Sequence, residues 1–127
     1  MILNLSELSD EPLHAQVSRQ IRAKILSEDL VDGESLPSIR VLAREQRISV
    51  ITVQRAYDDL EREGLIQARR GKGFWVVPIR AAKKHAIAEG RFEQALAEVV
   101  SQGAAESLSR SDMRRILEKI LKNGERR

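Results

Sequence analysis

The sequence predicts a mainly α-helical protein with one small β-hairpin, and three observations support this fold class. Residues 39–63 contain two amphipathic helical patterns that are separated by a short break at Arg47. Two short apolar runs follow, at 65–68 and 74–77, and they enclose a tip rich in arginine and glycine. After Pro78, two more helical patterns each carry a broad apolar stripe. This order of elements predicts a winged helix-turn-helix followed by a two-helix tail.

A first helix is expected from Pro12 to about Ser27. Residues 9–11 can supply a cap, Pro12 suits the first helical position, and apolar residues recur every four positions at Leu13, Val17, Ile21 and Ile25. This helix should lie across the back of the helix-turn-helix and complete a three-helix core. The preceding residues 1–8 alternate apolar and polar side chains, which fits either a short strand that pairs with the wing or an arm. Residues 29–35 contain a glycine and are predicted to form a loop.

The first helix of the helix-turn-helix is expected to begin near Ser38. This serine can accept a hydrogen bond from the amides of the helix start, and the preceding Pro37 resists helical continuation from upstream. Ala43 supplies the small side chain that two steeply crossing helices require. The chain must turn at Arg47, where a non-glycine residue costs about 1 kcal/mol if the backbone is left-handed.

The second helix is predicted from about Val50 to Glu63, with Ser49 as its cap. Its buried face consists of residues spaced at three, four and seven positions, namely Val53, Ala56, Tyr57 and Leu60. The opposite face of its first half is suited to the DNA major groove. Gln54 can bond adenine, Ser49 and Thr52 can bond phosphate or base, and Val50 or Ile51 can touch a thymine methyl group.

Two short runs with strand propensity, Leu65–Ala68 and Phe74–Val77, form the predicted wing. Gly64 precedes them as the expected left-handed residue after the helix. The tip Arg69-Arg70-Gly71-Lys72-Gly73 combines three cations with two glycines, which permit a tight turn and close approach to a partner. Such a tip is suited to phosphate or to the DNA minor groove.

Residues 12–77 resemble the DNA-binding domain of the GntR-type transcriptional regulators. The motifs that carry the resemblance, in the family's order and spacing, are Pro12-Leu13, Leu36-Pro37-Ser38-x-Arg40, Leu42-Ala43, Thr52-Val53-Gln54-Arg55-Ala56-Tyr57, Leu60-Glu61-x-Glu63-Gly64-Leu65-Ile66 and Arg70-Gly71-x-Gly73. The resemblance implies that Arg40 and the recognition helix read bases and that the wing enters the minor groove near Gly71 and Gly73. The chain departs from many members of this family at Val50 and Ile51, where they have arginine and threonine, and at Arg47, where they have glycine.

Two amphipathic helices are expected after Pro78. The first spans about 79–102 and ends near Gly103; the second follows a capping box formed by Ser109 and Asp112 and ends before Gly124. About 45 residues without cysteines or metal ligands cannot bury two apolar stripes alone, so a second copy of the chain is the expected partner. The alternative is that both helices fold back on the chain's own winged helix. So short a tail resembles that of the YtrA subfamily, which implies a homodimer built on the tail and repression of transporter operons.

Composition excludes several classes of function. Residues 37–77 carry 8 cations and 5 anions, a net charge of +3, so the arrangement of cations favours nucleic acid more than the overall charge does. The chain has no cysteine, and its two histidines, His14 and His85, lie far apart in sequence, so neither a metal site nor a cofactor is expected. No membrane span or signal pattern is present, which predicts a cytoplasmic protein. No catalytic constellation or phosphate-binding loop is present either, so an enzyme is not expected.

We therefore expect two domains: a DNA-binding winged helix-turn-helix at 1–77 and a dimerisation tail at 78–127, where effector sensing would also lie. The leading hypothesis is a homodimeric repressor that binds a palindromic operator in double-stranded DNA; the alternative is a winged-helix module that binds a protein. The expected DNA contacts are Ser38, Arg40, Arg47, Ser49, Val50, Ile51, Thr52, Gln54, Arg55, Arg69, Arg70, Gly71, Lys72 and Gly73. The expected dimer contacts are Ile87, Phe92, Leu96, Val99, Val100, Met113, Ile116, Leu117, Ile120 and Leu121.

Overall fold

The computed structural model describes residues 1–71 and 73–125, with side chains up to Gly124. Its elements in chain order are α1 (Leu13–Leu26), β1 (Ser35–Leu36), α2 (Ile39–Gln46), α3 (Val50–Arg62), β2 (Ile66–Arg69), β3 (Gly73–Val76), α4 (Ala81–Ala105) and α5 (Arg110–Glu125). The chain forms two compact units, the first comprising Met1–His85 and the second beginning at Ala86. The domain boundary expected at residues 77 and 78 stays a prediction.

The core of the first unit lies where α1 and α2 pack against α3. Apolar side chains at four-residue spacing on α1 meet the predicted buried face of α3, and both sets are fully covered: Val17, Ile21, Ile25, Val53, Ala56, Tyr57 and Leu60. Tyr57 hydroxyl donates a hydrogen bond of 2.7 Å to the carbonyl oxygen of Pro37. Burial, assisted by the nearby Glu45 carboxylate, raises the pKa of Tyr57, so its phenol remains protonated and able to donate. The predicted three-helix core is confirmed.

The N-terminal residues 1–8 form an arm and not a strand. Two glutamines of α1 hold this arm through paired hydrogen bonds. The Gln20 side chain accepts from the amide of Asn4 and donates to its carbonyl oxygen, both at 2.7 Å, and Gln16 makes the same pair of bonds with Ser6. The predicted cap from residues 9–11 is wrong, because Pro12 itself occupies the N-cap position and no side chain caps α1.

The sheet has three antiparallel strands in the order β1-β3-β2, where the sequence predicted a two-stranded hairpin. The additional strand, β1, begins at the last residue of the predicted loop at 29–35. Ser35 pairs with Trp75, and Leu36 pairs with Phe74. The pairing continues upstream, since the Val76 amide donates to Glu34 carbonyl oxygen at 2.9 Å. A strand of two residues is too short to show alternation, and this is why periodicity did not reveal it.

The second unit contains most of α4 and all described residues of α5. Gly103 does not end α4, which continues to Ala105; the chain leaves the helix through Ser107, whose φ is +70°. Met113 Cε lies 3.4 Å from the position that a Cβ on Gly103 would occupy, so the start of α5 packs against α4 at this glycine. The predicted capping box is confirmed, because the Ser109 amide donates to Asp112 at 2.9 Å and the Asp112 amide donates to Ser109 Oγ at 3.0 Å. Gly124 lies within α5 and does not end it.

Candidate nucleic-acid interface

Two serine caps and one left-handed residue shape the connection between α2 and α3. Ser38 Oγ accepts from the Val41 amide at 3.1 Å, and Ser49 Oγ accepts from the Thr52 amide at 3.0 Å. Arg47 adopts φ 56° and ψ 45°, the left-handed conformation that the sequence allowed for at the turn. The two helices therefore begin at the predicted serine caps, and the first two residues of α3, Val50 and Ile51, lie outside the core.

The first half of α3 presents an exposed face of four residues: Val50, Ile51, Gln54 and Arg55. Two of these are apolar, with Val50 47% and Ile51 73% exposed. The neighbouring polar groups already have hydrogen bonds. Ser49 Oγ lies 2.7 Å from Thr52 Oγ1, and Gln54 Nε2 donates to Asp58 Oδ1 at 2.9 Å.

Charge is unevenly distributed along the helix-turn-helix. The arginines of α2, of the turn and of the first half of α3 are exposed: Arg40, Arg44, Arg47 and Arg55. The second half of α3 and its C-cap carry carboxylates at Asp58, Asp59, Glu61 and Glu63, with a single cation, Arg62, that pairs with Asp59 at 3.1 Å. A polyanion is therefore attracted to the start of α3 and repelled from its end.

The wing is fixed to α3 by an aromatic contact and a hydrogen bond. Phe74 of β3 packs edge-on against Tyr57, with ring centroids 4.9 Å apart. The Glu61 carboxylate accepts from the Ala68 amide of β2 at 3.2 Å. Because both contacts join the sheet to α3, the position of the wing follows from that of the helix.

The cations of the wing differ in their surroundings. Arg69 lies over the ring of Trp75, 3.7 Å from its centroid, so one face of its guanidinium group is covered. Arg70 and Gly71 form the exposed turn, and Gly71 and Gly73 both have a φ of +75°. Lys72, also expected to contact DNA, lies outside the described residues.

The described members of the predicted DNA-contact set are exposed or, for Thr52, half-buried. They lie on α2, the turn, the first half of α3 and the wing, and their contact with DNA stays a prediction. Three further residues belong to this surface and were absent from the predicted set. Arg44 is an exposed cation on α2. Asp58 accepts a hydrogen bond from the Gln54 side chain, and Trp75 contacts the guanidinium group of Arg69 through its ring. The cation at Arg44 and the four-residue spacing of Gln54 and Asp58 can be read from the sequence, whereas the stacking of Arg69 on Trp75 cannot.

Other site classes are not supported among the described residues. The part of the chain with assigned structure contains no group of three His, Asp or Glu side chains placed to hold a metal ion. Within the same described residues, no helix is long and apolar enough to cross a bilayer.

Comparison with known proteins decides the family. Residues 13–76 match the model of the bacterial regulatory proteins of the gntR family. The chain belongs to the GntR family. The matched range covers α1 through β3, so the resemblance seen in the sequence motifs is confirmed, and with it a winged helix-turn-helix of the DNA-binding type. The curated relatives that match include HTH-type transcriptional regulators.

Individual relatives extend this comparison. The HTH-type transcriptional repressor YtrA of Bacillus subtilis is 33% identical over 75 residues, which span 59% of this chain and 58% of YtrA. The chain thus matches a little more than half the length of that relative. A GntR-family regulator from Listeria monocytogenes has a similar fold, with a TM-score of 0.75 and 21% identity over 91% of this chain and 98% of that one. The DNA-binding domain of AraR in complex with operator ORX1 has a TM-score of 0.52 and 27% identity, over 59% of this chain and 93% of that one.

Proposed function

We propose that this GntR-family protein is a homodimeric, sequence-specific repressor that binds a palindromic operator in double-stranded DNA. The observation that carries the proposal is the exposed first half of α3, which is flanked by arginines and followed by carboxylates. Such a helix can enter the major groove with its first turns while its acidic end stays away from phosphate. The AraR domain, whose fold is similar, is known in complex with its operator.

Roles follow from exposure and hydrogen bonding. Arg40, Arg55 and the first turns of α3 face the bases and phosphates of the major groove. Ser38 donates to a phosphate, because its oxygen accepts from the Val41 amide and its hydroxyl hydrogen is left for an outside acceptor. The wing, with Arg70, Gly71, Lys72 and Gly73, faces the minor groove, where positive φ angles at the two glycines permit the tight turn.

The tail supports the proposed dimer. A groove of about 490 Å³ runs along α4 and α5 and is lined mainly by apolar side chains, among them Leu96, Val99, Met113 and Ile120. Several apolar residues of the tail are exposed, including Phe92 at 61% and Ile120 at 59%. A surface of this kind favours association, and a second copy of the same helices is self-complementary under two-fold symmetry. We place the interface on Ile87, Phe92, Leu96, Val99, Val100, Met113, Ile116, Leu117, Ile120 and Leu121.

A repressor role is favoured by the relative YtrA, whose name states it. The resemblance to the YtrA subfamily extends this to control of an operon that encodes a transporter. A dimer also matches two half-sites one or more helical turns apart, which is the arrangement of a palindromic operator.

A fluorescence-anisotropy titration tests DNA binding. The probes are a duplex from upstream of the protein's own gene and a scrambled duplex of equal composition, each at several salt concentrations. Tight binding to the first, weak binding to the second and a steep salt dependence are expected. Equal binding to both would contradict sequence specificity. No binding at low salt, with co-purification of a protein partner, would favour the protein-binding alternative.

Sedimentation equilibrium tests the dimer. Ile120→Glu places a charge on the proposed interface and should yield a monomer. Leu8→Glu is the matched control, since Leu8 is 97% exposed on the arm and lies outside the tail. A dimer that survives Ile120→Glu, or a wild-type monomer at the concentrations used for DNA binding, would refute the proposed interface.

A further inference from the structure

The first turn of α3 exposes two apolar side chains, Val50 and Ile51, that do not pack in the core. The buried face of this helix is complete without them, since Val53, Ala56 and Tyr57 are fully covered. Ile51 is 73% exposed, although isoleucine is among the residues most often buried. The apolar surface of Val50 and Ile51 therefore stays in water until a partner covers it.

Their polar neighbours are already engaged. The hydroxyl groups of Ser49 and Thr52 bond each other at 2.7 Å, and the Gln54 amide group donates to Asp58 at 2.9 Å. Val50 and Ile51 are thus the side chains of the first turn that point outward without hydrogen bonds to neighbours, and both are hydrocarbon. A reading surface of this composition selects partners by apolar contact as much as by hydrogen bonding.

The surroundings of this apolar pair favour DNA as its partner. It belongs to the same helix-turn-helix surface as Arg40, Arg47 and Arg55, and such a cationic surface attracts a polyanion. It also lies within residues 13–76, the range that matches the gntR family of bacterial regulatory proteins. Along the floor of the major groove, the C5 methyl group of thymine is the apolar group that the base edges present, whereas the other bases present polar atoms.

We infer that Ile51, assisted by Val50, is a specificity-determining residue that reads the 5-methyl group of thymine in the operator half-site. The inference rests on the proposed function and names the chemistry that this site selects. Discrimination arises in two ways. Contact with the methyl group removes apolar surface of both partners from water, and an isoleucine placed against a guanine or cytosine edge would leave polar atoms there without hydrogen bonds.

Replacement of thymine by deoxyuridine provides the test, because it deletes only the methyl group and leaves base pairing unchanged. The operator is first selected from randomised duplexes with the full-length chain. Each thymine is then replaced in turn, and the Kd is measured by anisotropy. For the wild-type protein, uracil at one or two positions of each half-site should raise Kd about fourfold per site, which corresponds to about 0.8 kcal/mol, the value for one buried methylene group.

The variant Ile51→Ala completes a double-mutant cycle with the replacement of thymine by uracil. Its Kd should be nearly the same for thymine and uracil at the position concerned, while its affinity for the uracil duplex stays close to that of the wild type. Leu8→Ala serves as the control, since it removes an apolar side chain that is 97% exposed on the arm and should retain the full thymine preference. Circular dichroism of both variants verifies that the helical content is unchanged.

Failure of the inference differs from failure of the proposed function. If no sequence is enriched in the selection, or if the selected and scrambled duplexes bind equally, both the proposed function and the inference about Ile51 are refuted. If the selected operator binds specifically but tolerates uracil everywhere, the inference alone is overturned. The same holds if thymine preference persists in both Ile51→Ala and Val50→Ala, or if Ile51→Ala leaves DNA binding intact and abolishes binding of a protein partner.

Discussion

Lys84 Nζ lies 2.9 Å from Asp32 Oδ1, and the lysine side chain is only 3% exposed. The same ammonium group is 3.5 Å from Glu28 Oε1, so two carboxylates of the loop after α1 share one buried cation in the first turn of α4. The hydrogen bond to Asp32 raises the pKa of Lys84, and the same bond lowers the pKa of Asp32. The loop that leads into β1 is thereby tied to the start of α4 within the first unit.

Lys84→Met should lower the free energy of unfolding, because it leaves both carboxylates without their cation, whereas Lys83→Met should have little effect, since Lys83 is exposed. The pKa of Asp32 is lower in the folded state than in the unfolded state, so the ionised carboxylate stabilises the fold at pH values above the ordinary pKa of about 3.9. This stabilisation is lost as the pH falls through the lowered pKa. Urea denaturation at neutral and acidic pH checks this. A difference between wild type and Lys84→Met that did not shrink in acid would contradict the assigned pairing.

Arg47→Gly should stabilise the protein by about 1 kcal/mol, because glycine accepts a φ of 56° without the strain that a side chain causes. Arg44→Gly is the matched control: it removes the same charge from within α2, where glycine costs about 1 kcal/mol. Urea denaturation of the two variants should therefore give changes of opposite sign. Equal destabilisation would show that the Arg47 side chain stabilises the turn by more than its backbone costs. Both variants should bind DNA more weakly, because each loses an exposed cation of the proposed DNA-binding surface.

Gln54→Ala and Arg70→Ala should affect DNA binding in different ways. The first should relax the preference at one base position with little change in salt dependence, at a cost of about 1–3 kcal/mol on the cognate sequence. The second should weaken binding to cognate and scrambled duplexes alike and lower the salt slope by about 1. Anisotropy titrations on both duplexes distinguish these outcomes. Identical behaviour of the two variants would refute the division of roles between α3 and the wing.

Trp75 is the single tryptophan of the chain, so its fluorescence reports on the wing alone. Arg69→Ala removes the guanidinium group that lies 3.7 Å from the ring centroid and should shift the emission maximum to longer wavelength as water reaches the indole. Arg70→Ala should leave the emission of the free protein unchanged. Operator DNA should alter the emission of the wild type. An unchanged spectrum at saturating operator would argue against contact between the wing and DNA.

The sequence predicted those features of the fold that depend on local chemistry. The caps at Ser38 and Ser49, the turn at Arg47 and the capping box at Ser109 each follow from residues within four positions of one another. The buried face of α3 followed from periodicity, and the family motifs followed from residue identity in the same stretch.

Features that depend on distant contacts were not predictable in this way. Strand β1 forms because Ser35 and Leu36 meet β3 some 40 residues later. No local pattern marks Lys84 as buried, because only the folded chain brings Asp32 and Glu28 to it. Gly103 was expected to end a helix, yet α4 continues through it to Ala105, and Met113 of α5 packs against this glycine. The candidate site was predictable in outline, but the stacking of Arg69 on Trp75 was not.

The separation of the two faces of α3 bears on how such a protein can evolve. Folding depends on the covered residues Val53, Ala56, Tyr57 and Leu60. The exposed residues Val50, Ile51, Gln54 and Arg55 can be exchanged at small cost to stability, since surface substitutions usually change it by no more than about 0.5 kcal/mol. A duplicated gene could therefore acquire a new target through a few substitutions on one helix face while its product continued to fold. The same property makes the domain a suitable scaffold for engineered regulators that do not interfere with one another.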